Sequence, residues 1–324
     1  MKRLCVFLCC ALLVLSLAGC SKKDDTPAGD AGTTKGDRKI GLGHVSSLTM
    51  DGTDKTRVKT TVAAVVLDKD GRIASCELDE LDFVVTLSGG APQSVSDLTT
   101  KGEKEDAYIP TKEDIGSDKG LTTPWHEQAD AFCDYAEGKT VGELTGLATT
   151  DGKSAEIKGC DLVVTDFIQA VSRAASGAMT HAMAAGDDLE LAITAIPGDS
   201  AANDKVQYTI EMAAVALNEK DVITGCMTDT LDAKMTMENG VFTTVSGPVE
   251  SKRDAGDAYG MKEASGIKRE GYEQADAFDT YVRGKTAAQL ADMKLGADGK
   301  TDAISGCTIT ITSMLKNVIK AARK

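Results

Sequence analysis

The chain has 324 residues, a formal net charge of −14 and only 4% aromatic residues. An acidic chain is repelled by phosphate backbones and by anionic headgroups, which argues against nucleic acid binding and against peripheral attachment to anionic lipid. The scarcity of aromatic side chains leaves little material for large stacking surfaces.

The first residues are typical of an export signal. Lys2 and Arg3 form a short basic start, and residues 4–17 are almost wholly apolar, which suits a signal-peptide core better than a membrane span. The run ends at Leu17-Ala18-Gly19-Cys20. An ordinary cleavage site is one interpretation. The full pattern resembles a bacterial lipobox, which implies a signal peptide over residues 1–19, cleavage before Cys20 and acylation of that cysteine.

The next segment, residues 20–37, is rich in Lys, Asp, Thr, Gly and Ala. Such a composition cannot bury a core, so we expect a flexible tether behind the lipid anchor. No later run has the length and apolarity of a membrane span. We therefore predict that the rest of the chain is held by its lipid anchor at the extracytoplasmic face of the cell membrane.

The remaining chain repeats itself. Residues 127–132 recur letter for letter at 273–278, and other matches keep a similar offset of about 150 residues. This offset is too long for a solenoid repeat and has the size of a domain. We predict two tandem domains, 38–178 and 187–324. Trp125, the single tryptophan, is replaced in the second copy by Gly271.

Both copies show the same order of predicted elements, hairpin strands first and helices later. Strands are expected at 39–49, 60–67, 72–78, 82–87 and 162–164, and in the second copy at 189–195, 208–217, 222–226, 234–237 and 308–311. Helices are expected at 127–135, 141–147 and 166–175, and at 272–281, 287–293 and 313–322. The order predicts an α+β fold with two similar tandem domains, each an antiparallel hairpin followed by helices.

The cysteines allow two interpretations. Cys76 and Cys160 of the first copy match Cys226 and Cys307 of the second, whereas Cys133 is matched by Asp279. One disulfide in each domain would suit an oxidising compartment; four buried apolar thiols are the alternative.

The sequence offers few candidates for catalysis. It has no CxxC pair, and its three histidines are scattered, so no metal site is predicted. No local combination of residues points to a catalytic residue. The repeated run 127–132 is interpreted as a packing helix with Phe and Ala inward and its polar residues in solvent, the alternative being a ligand-binding face. Gly138-Lys139-Thr140 lacks the earlier glycine of a phosphate loop, so we reject that reading.

One segment has a specific chemical interpretation. The last predicted helix is preceded by the segment Asp302-Ala303-Ile304-Ser305-Gly306-Cys307-Thr308. It resembles the acceptor motif of the FMN-binding domain family, which runs Asp, two residues, Ser or Thr, Gly, Ala, then Thr or Ser. The resemblance implies that Asp302, Ser305, Gly306 and Thr308 form the cofactor site. It also implies that a separate flavin transferase attaches FMN to Thr308 through a phosphodiester.

Two departures from that motif keep a second function open. Cys307 stands where the family has Ala, and the first copy carries Asp161 at the acceptor position, where a carboxylate cannot form the phosphodiester. The first expectation is therefore an electron carrier that exchanges electrons with a membrane redox partner. The alternative is a non-redox surface module that binds a small ligand or a protein on the same scaffold, the motif being only a turn into a strand. Either function favours a carrier or binding protein over an enzyme.

Overall fold

The computed structural model describes residues 38–93, 97–198, 204–244 and 246–323. The signal peptide predicted over residues 1–19, the predicted acylation of Cys20 and the predicted tether over 20–37 lie outside the described residues. Ten strands are described: β1 Arg38–Asp51, β2 Lys55–Leu67, β3 Ile73–Ser88, β4 Ala91–Gln93, β5 Met179–His181, β6 Asp188–Pro197, β7 Lys205–Leu217, β8 Ile223–Glu238, β9 Val241–Phe242 and β10 Gly247–Pro248.

The helices follow the strands in each half of the chain. They are α1 Lys112–Ile115, α2 Trp125–Ala136, α3 Val141–Thr145, α4 Thr165–Ser176, α5 Lys252–Ala255, α6 Met261–Ala264, α7 Gly271–Val282, α8 Ala287–Ala291 and α9 Thr312–Ala321. Single 3₁₀ turns form at Glu105–Ala107 and Gly256–Tyr259. This mixture of antiparallel sheets and helices confirms the predicted α+β class. Within the described ranges, none of these helices combines the length and apolarity that crossing a membrane requires.

Each half is built on an antiparallel meander of three long strands. In the first half β1 pairs with β2 and β2 with β3; in the second half β6, β7 and β8 pair in the same way. The prediction of separate strands at 72–78 and 82–87 is wrong, because β3 runs unbroken through Asp79 and Glu80. These buried acids interrupt the apolar pattern of the sequence, but hydrogen bonds from Thr100 and Thr61 satisfy them.

The two meanders pack face to face through a shared apolar core. Alternate residues of β2, such as Val62 and Ala64, pack in this core with Ile210 and Ala214 of β7. The rings of Phe83 and Tyr208 lie 4.8 Å apart across it. The short strand β10 of the second half also pairs with β1 of the first half.

The opposite face of each sheet is covered by helices. Ala63 and Val65 of β2 pack with residues of α2 and α4, and Ala213 and Val215 of β7 pack with α7 and α9. The layers therefore run helix, sheet, sheet, helix. Since strand side chains alternate between faces, successive residues of β2 and β7 lie in turn in the shared core and in the core under the helices.

The long and terminal helices were predicted within a few residues of their ends, and Gly138 and Gly284 follow the long helices with φ of +79° each. The short strands expected at 162–164 and 308–311 are wrong. Instead, the amides of Val164 and Ile311 donate to the carbonyl oxygens of Gly152 and Gly299, in the preceding turns. Leu162, Val164 and Ile311 of these segments are buried without joining a sheet, and Val163 and Ile309 are half-buried.

Candidate functional site

The segment around Thr308 forms a turn that leads into α9. Gly306 has φ of +84°, a backbone conformation that favours glycine, and Thr308 is exposed four residues before the first residue of α9. Gln274 of α7 holds this residue in place. Its side-chain oxygen accepts hydrogen bonds from the Thr308 backbone nitrogen at 2.8 Å and from the Thr308 hydroxyl at 3.2 Å.

Gln274 corrects one expectation from the sequence. The polar residues of the repeated run were expected in solvent, yet Gln128 and Gln274 are both buried. In the first half, Gln128 accepts a hydrogen bond from the backbone nitrogen of Asp161 at 2.8 Å. The two glutamines therefore anchor the same turn in both halves, and the residue at the acceptor position is exposed in each.

The other residues of the predicted motif lie around the same turn. Asp302, Gly306 and Thr308 line one cavity of about 710 Å³, together with Cys307. Ser305 is exposed and is not part of that wall. The Arg269 guanidinium packs over Gly306 so closely that a Cβ at this position would lie 2.3 Å from it. A larger residue at position 306 would have to displace this flexible side chain and would be strained at a φ of +84°.

Thr308 also lies on the wall of a second cavity of about 550 Å³, between α7, α9 and the sheet. This volume is within the range of small-molecule sites. Basic, acidic, aromatic and apolar groups meet there. The lining includes Glu211, Asp229, Lys252, Arg253, Gly271, Tyr272, Gln274, Lys300, Thr308 and Met314.

Two buried carboxyl groups lie on the sheet side of this cavity. Glu211 accepts hydrogen bonds from the hydroxyls of Ser313 at 2.6 Å and Thr230 at 2.7 Å. Asp229 accepts from the backbone nitrogens of Thr230 at 2.8 Å and Arg253 at 3.2 Å. Burial raises the pKa of both carboxyls above the usual range, and the hydrogen bonds only partly oppose this.

The cations of the cavity have different roles. Arg253 donates hydrogen bonds to Asp276 at 2.6 Å and to Asp279 at 2.8 Å. It also donates to the Thr228 carbonyl oxygen at 2.6 Å, so its guanidinium is hydrogen-bonded within the protein. Burial raises the pKa of Asp279 to about 6, although Arg253 acts in the opposite direction. Lys252 and Lys300, which are both partly or fully exposed, are the cations placed to meet an anionic ligand.

The corresponding place in the first half is filled. Trp125 and Gly271 are the first residues of α2 and α7, and Phe167 and Met314 are the third residues of α4 and α9. The Trp125 indole is 1% exposed and packs edge-on against Phe167, with ring centroids 5.8 Å apart. Replacement of these two aromatic side chains by glycine and methionine opens the space in the second half.

A lysine also occupies the first half. Lys101 and Lys252 occupy equivalent positions in the two halves. Lys101 follows Thr100, whose hydroxyl bonds to Asp79, and Lys252 follows Ser251, which bonds to the equivalent Asp229. Lys101 is 1% exposed and lies 2.5 Å from Glu80, in contact also with Asp114. Burial alone would lower the pKa of Lys101, but Glu80 and Asp114 outweigh it and raise the pKa.

An exchange of two side chains accounts for this difference. In the first half, Thr61 of β2 faces Glu80 of β3; in the second half, Glu211 of β7 faces Thr230 of β8. The carboxylate on β3 holds Lys101, whereas the carboxylate on β7 is bonded to Ser313 at the start of α9. The second half therefore has no acid on β8 at this position to draw Lys252 inward.

The structure does not contain the expected disulfides Cys76–Cys160 and Cys226–Cys307. In the described part of the chain all five cysteines are free and buried. The Cys76 sulfur instead lies 3.0 Å from that of Cys133, and the Cys226 sulfur lies 3.7 Å from a carboxylate oxygen of Asp279. Cys160 and Cys307 are buried in the two helix-side cores, where burial raises the pKa of Cys160 to about 11.

One group of side chains in the described ranges has a spacing compatible with a metal ion. Asp106, His126 and Glu127 bring their ligand atoms within 4.8 Å of one another. Asp106 and Glu127 are exposed, and acidic surface groups commonly lie together without a metal.

Comparison of the chain with protein-family models, characterised proteins and solved structures gives no match. Glu211, Asp229, Lys252 and Gln274 were not among the residues predicted from sequence. The glutamine that the repeated run carries in both halves was the one available signal, although the exposed Glu127 is repeated in the same run.

Proposed function

We propose that this protein is an extracytoplasmic lipoprotein with two similar halves that arose by duplication. We further propose that it is an electron carrier with FMN attached to Thr308 through a phosphodiester. The observation that supports this function is the difference between the halves: an exposed hydroxyl at the acceptor position borders an open cavity in the second half. In the first half an aspartate occupies the acceptor position, and Trp125 and Lys101 fill the interior.

The residues around Thr308 fit such a cofactor. The cavity of about 550 Å³ combines the apolar Met314 with the polar groups that a flavin ring requires. Glu211 and Asp229, whose pKa values burial raises, are the buried carboxyl groups on the cavity wall that would face polar atoms of the ring. Lys252 and Lys300 would stabilise the phosphate charge, helped by the amino end of α9.

The bound flavin would supply one- and two-electron transfer, which no side chain of the site provides. The protein would contribute position and electrostatics. Exposure of Thr308 leaves its hydroxyl accessible to a flavin transferase, and Gln274 fixes the backbone on which that hydroxyl is presented. A membrane redox partner would then exchange electrons with the carrier at the cell surface.

The test is the intact mass of the full chain, extracted from membranes of a bacterial host that has a flavin transferase. The expected mass exceeds that of the acylated chain by FMN less one water, and peptide mapping places the addition on Thr308. The same chain from a host without the transferase provides the control. An acylated protein without the flavin mass in the first host would refute covalent attachment.

A second candidate function is non-covalent ligand binding in the same cavity. It is favoured by the hydrogen bond of the Thr308 hydroxyl to Gln274 and by the buried Cys307, which replaces the family's Ala. Under this function the protein is a surface binding module, and the ligand is a small molecule with an anionic group that meets Lys252 and Lys300. Loss of the Thr308 hydroxyl would then leave binding nearly unchanged.

A further inference from the structure

Cys76 and Cys133 lie side by side where the long helix of the first half packs on its sheet. Cys76 is on β3 and Cys133 on α2, 57 residues apart in sequence, and their sulfur atoms are separated by 3.0 Å. Both side chains are buried in the core between the first sheet and its helices. The two sulfur atoms are therefore already in contact in the folded protein.

The second half fastens its helix at the same point with different chemistry. Cys226 of β8 corresponds to Cys76, but Asp279 of α7 replaces Cys133. Asp279 accepts hydrogen bonds from Thr228 of β8, at 2.7 Å to its hydroxyl, and from Arg253 at 2.8 Å. Gly102 of the first half occupies the position of Arg253. The backbone nitrogen of Gly102 donates to Asp79, as that of Arg253 donates to the equivalent Asp229. It therefore lacks this ionic connection between helix and strand.

We propose that Cys76 and Cys133 form a disulfide when the chain is exported to an oxidising compartment. One thiolate attacks the disulfide of an exported thiol oxidase, and the second cysteine displaces the oxidase from the mixed disulfide. The two cysteines lose two protons and two electrons in forming the S–S bond, and the oxidase disulfide becomes a dithiol. Because both thiols are buried in the folded protein, the reaction occurs before α2 closes over β3.

Tryptic mapping distinguishes this pair from every other one. Each described cysteine falls in a separate tryptic peptide: 73–101 for Cys76, 120–139 for Cys133, 159–173 for Cys160, 221–234 for Cys226 and 301–316 for Cys307. The full chain is produced with its own N-terminal segment, and the cells are quenched in acid. The proteins are then denatured, their free thiols are alkylated with iodoacetamide, and they are digested without reductant. We expect peptides 73–101 and 120–139 as one linked species, two hydrogens lighter than their sum.

The peptides recovered show whether Cys76 is joined to Cys133, to another cysteine or to none. Alkylated, unlinked peptides 73–101 and 120–139, or a link from 73–101 to 159–173, would overturn the proposal. Cys133→Ser should abolish the link and release an alkylated 73–101 peptide, whereas the matched control Cys160→Ser should retain the link in full. The mapping of the unaltered protein decides the matter even if a variant fails to fold.

Discussion

Trp125 and Gly271 occupy the same position in the two halves, the first residue of the helix that carries the repeated run. In the first half the indole is buried against Phe167. In the second half the absent side chain leaves room beside Tyr272 and Met314, next to Thr308. The loss of this indole, together with Met314 in place of Phe167 and the outward Lys252, separates a filled core from a cavity at the start of the same long helix.

Filling this cavity should remove ligand binding. We expect Gly271→Trp to weaken binding of free FMN at least tenfold, about 1.4 kcal/mol or more, because the indole would take the ligand's place. The measurement is quenching of flavin fluorescence by the full chain from a host without a flavin transferase. Gly271→Ala is the control: its Cβ would lie 3.4 Å from the Tyr259 ring, an ordinary contact, and binding should persist. Equal binding by the Trp variant would place the ligand elsewhere.

The acceptor hydroxyl is tested by Thr308→Ala. We expect complete loss of the covalent flavin mass with a melting temperature close to that of the unaltered protein, because the Thr308 side chain is exposed and its backbone bond to Gln274 remains. Thr310→Ala is the matched control, since Thr310 lines the same cavity and is also exposed. Flavin retained on the Thr308 variant would assign attachment to another residue.

Lys101 should contribute strongly to stability, and Lys252 should not. Lys101→Met removes the buried cation that Glu80 and Asp114 share and leaves Glu80 only its longer, 3.4 Å ion pair with Lys59, which we expect to cost about 3–5 kcal/mol of unfolding free energy. Lys252→Met removes the equivalent side chain from a partly exposed position and should change stability by about 1 kcal/mol or less. Urea denaturation of the full chain measures both. Similar losses for the two variants would contradict the asymmetry of the halves.

His181 should make the protein less stable in mild acid. Burial lowers its pKa from 6.5 to about 4, assisted by Arg283 and Arg253 and opposed by Asp276. The unfolded chain therefore binds more protons than the folded protein below pH 6.5, so the contribution of His181 is complete above that pH and is lost as the pH falls toward 4.

The size of this effect follows from the same shift. Between pH 7 and pH 5 the unaltered protein should lose about 2 kcal/mol more unfolding free energy than His181→Gln. Denaturation curves at several pH values measure the difference. His126→Gln, at a partly exposed site, is the matched histidine-to-glutamine control. Parallel curves for the unaltered protein and His181→Gln would exclude a neutral buried imidazole as the cause.

Much of the architecture was readable in the sequence because it depends on local pattern. Alternating strands, helical spacing and the glycines after the long helices predicted the antiparallel hairpin and the order of the long helices. The pattern failed where tertiary contacts satisfy polar groups. Asp79 and Glu80 divided β3 into two predicted strands, and Gln274 was placed in solvent, because a sequence does not show the hydrogen-bond partners that allow a polar side chain to be buried.

The sequence by itself determined the repetition of residues 127–132 at 273–278, the α+β class and the position of the turn segment that ends at Thr308. The tertiary structure alone decided that a cavity exists beside Thr308 and that its counterpart near Asp161 is filled. It also decided that Cys133, and not Cys160, is the neighbour of Cys76. The reason is physical: a repeat and a local pattern are properties of neighbouring residues. A cavity or a thiol contact depends on how side chains distant in sequence share one volume.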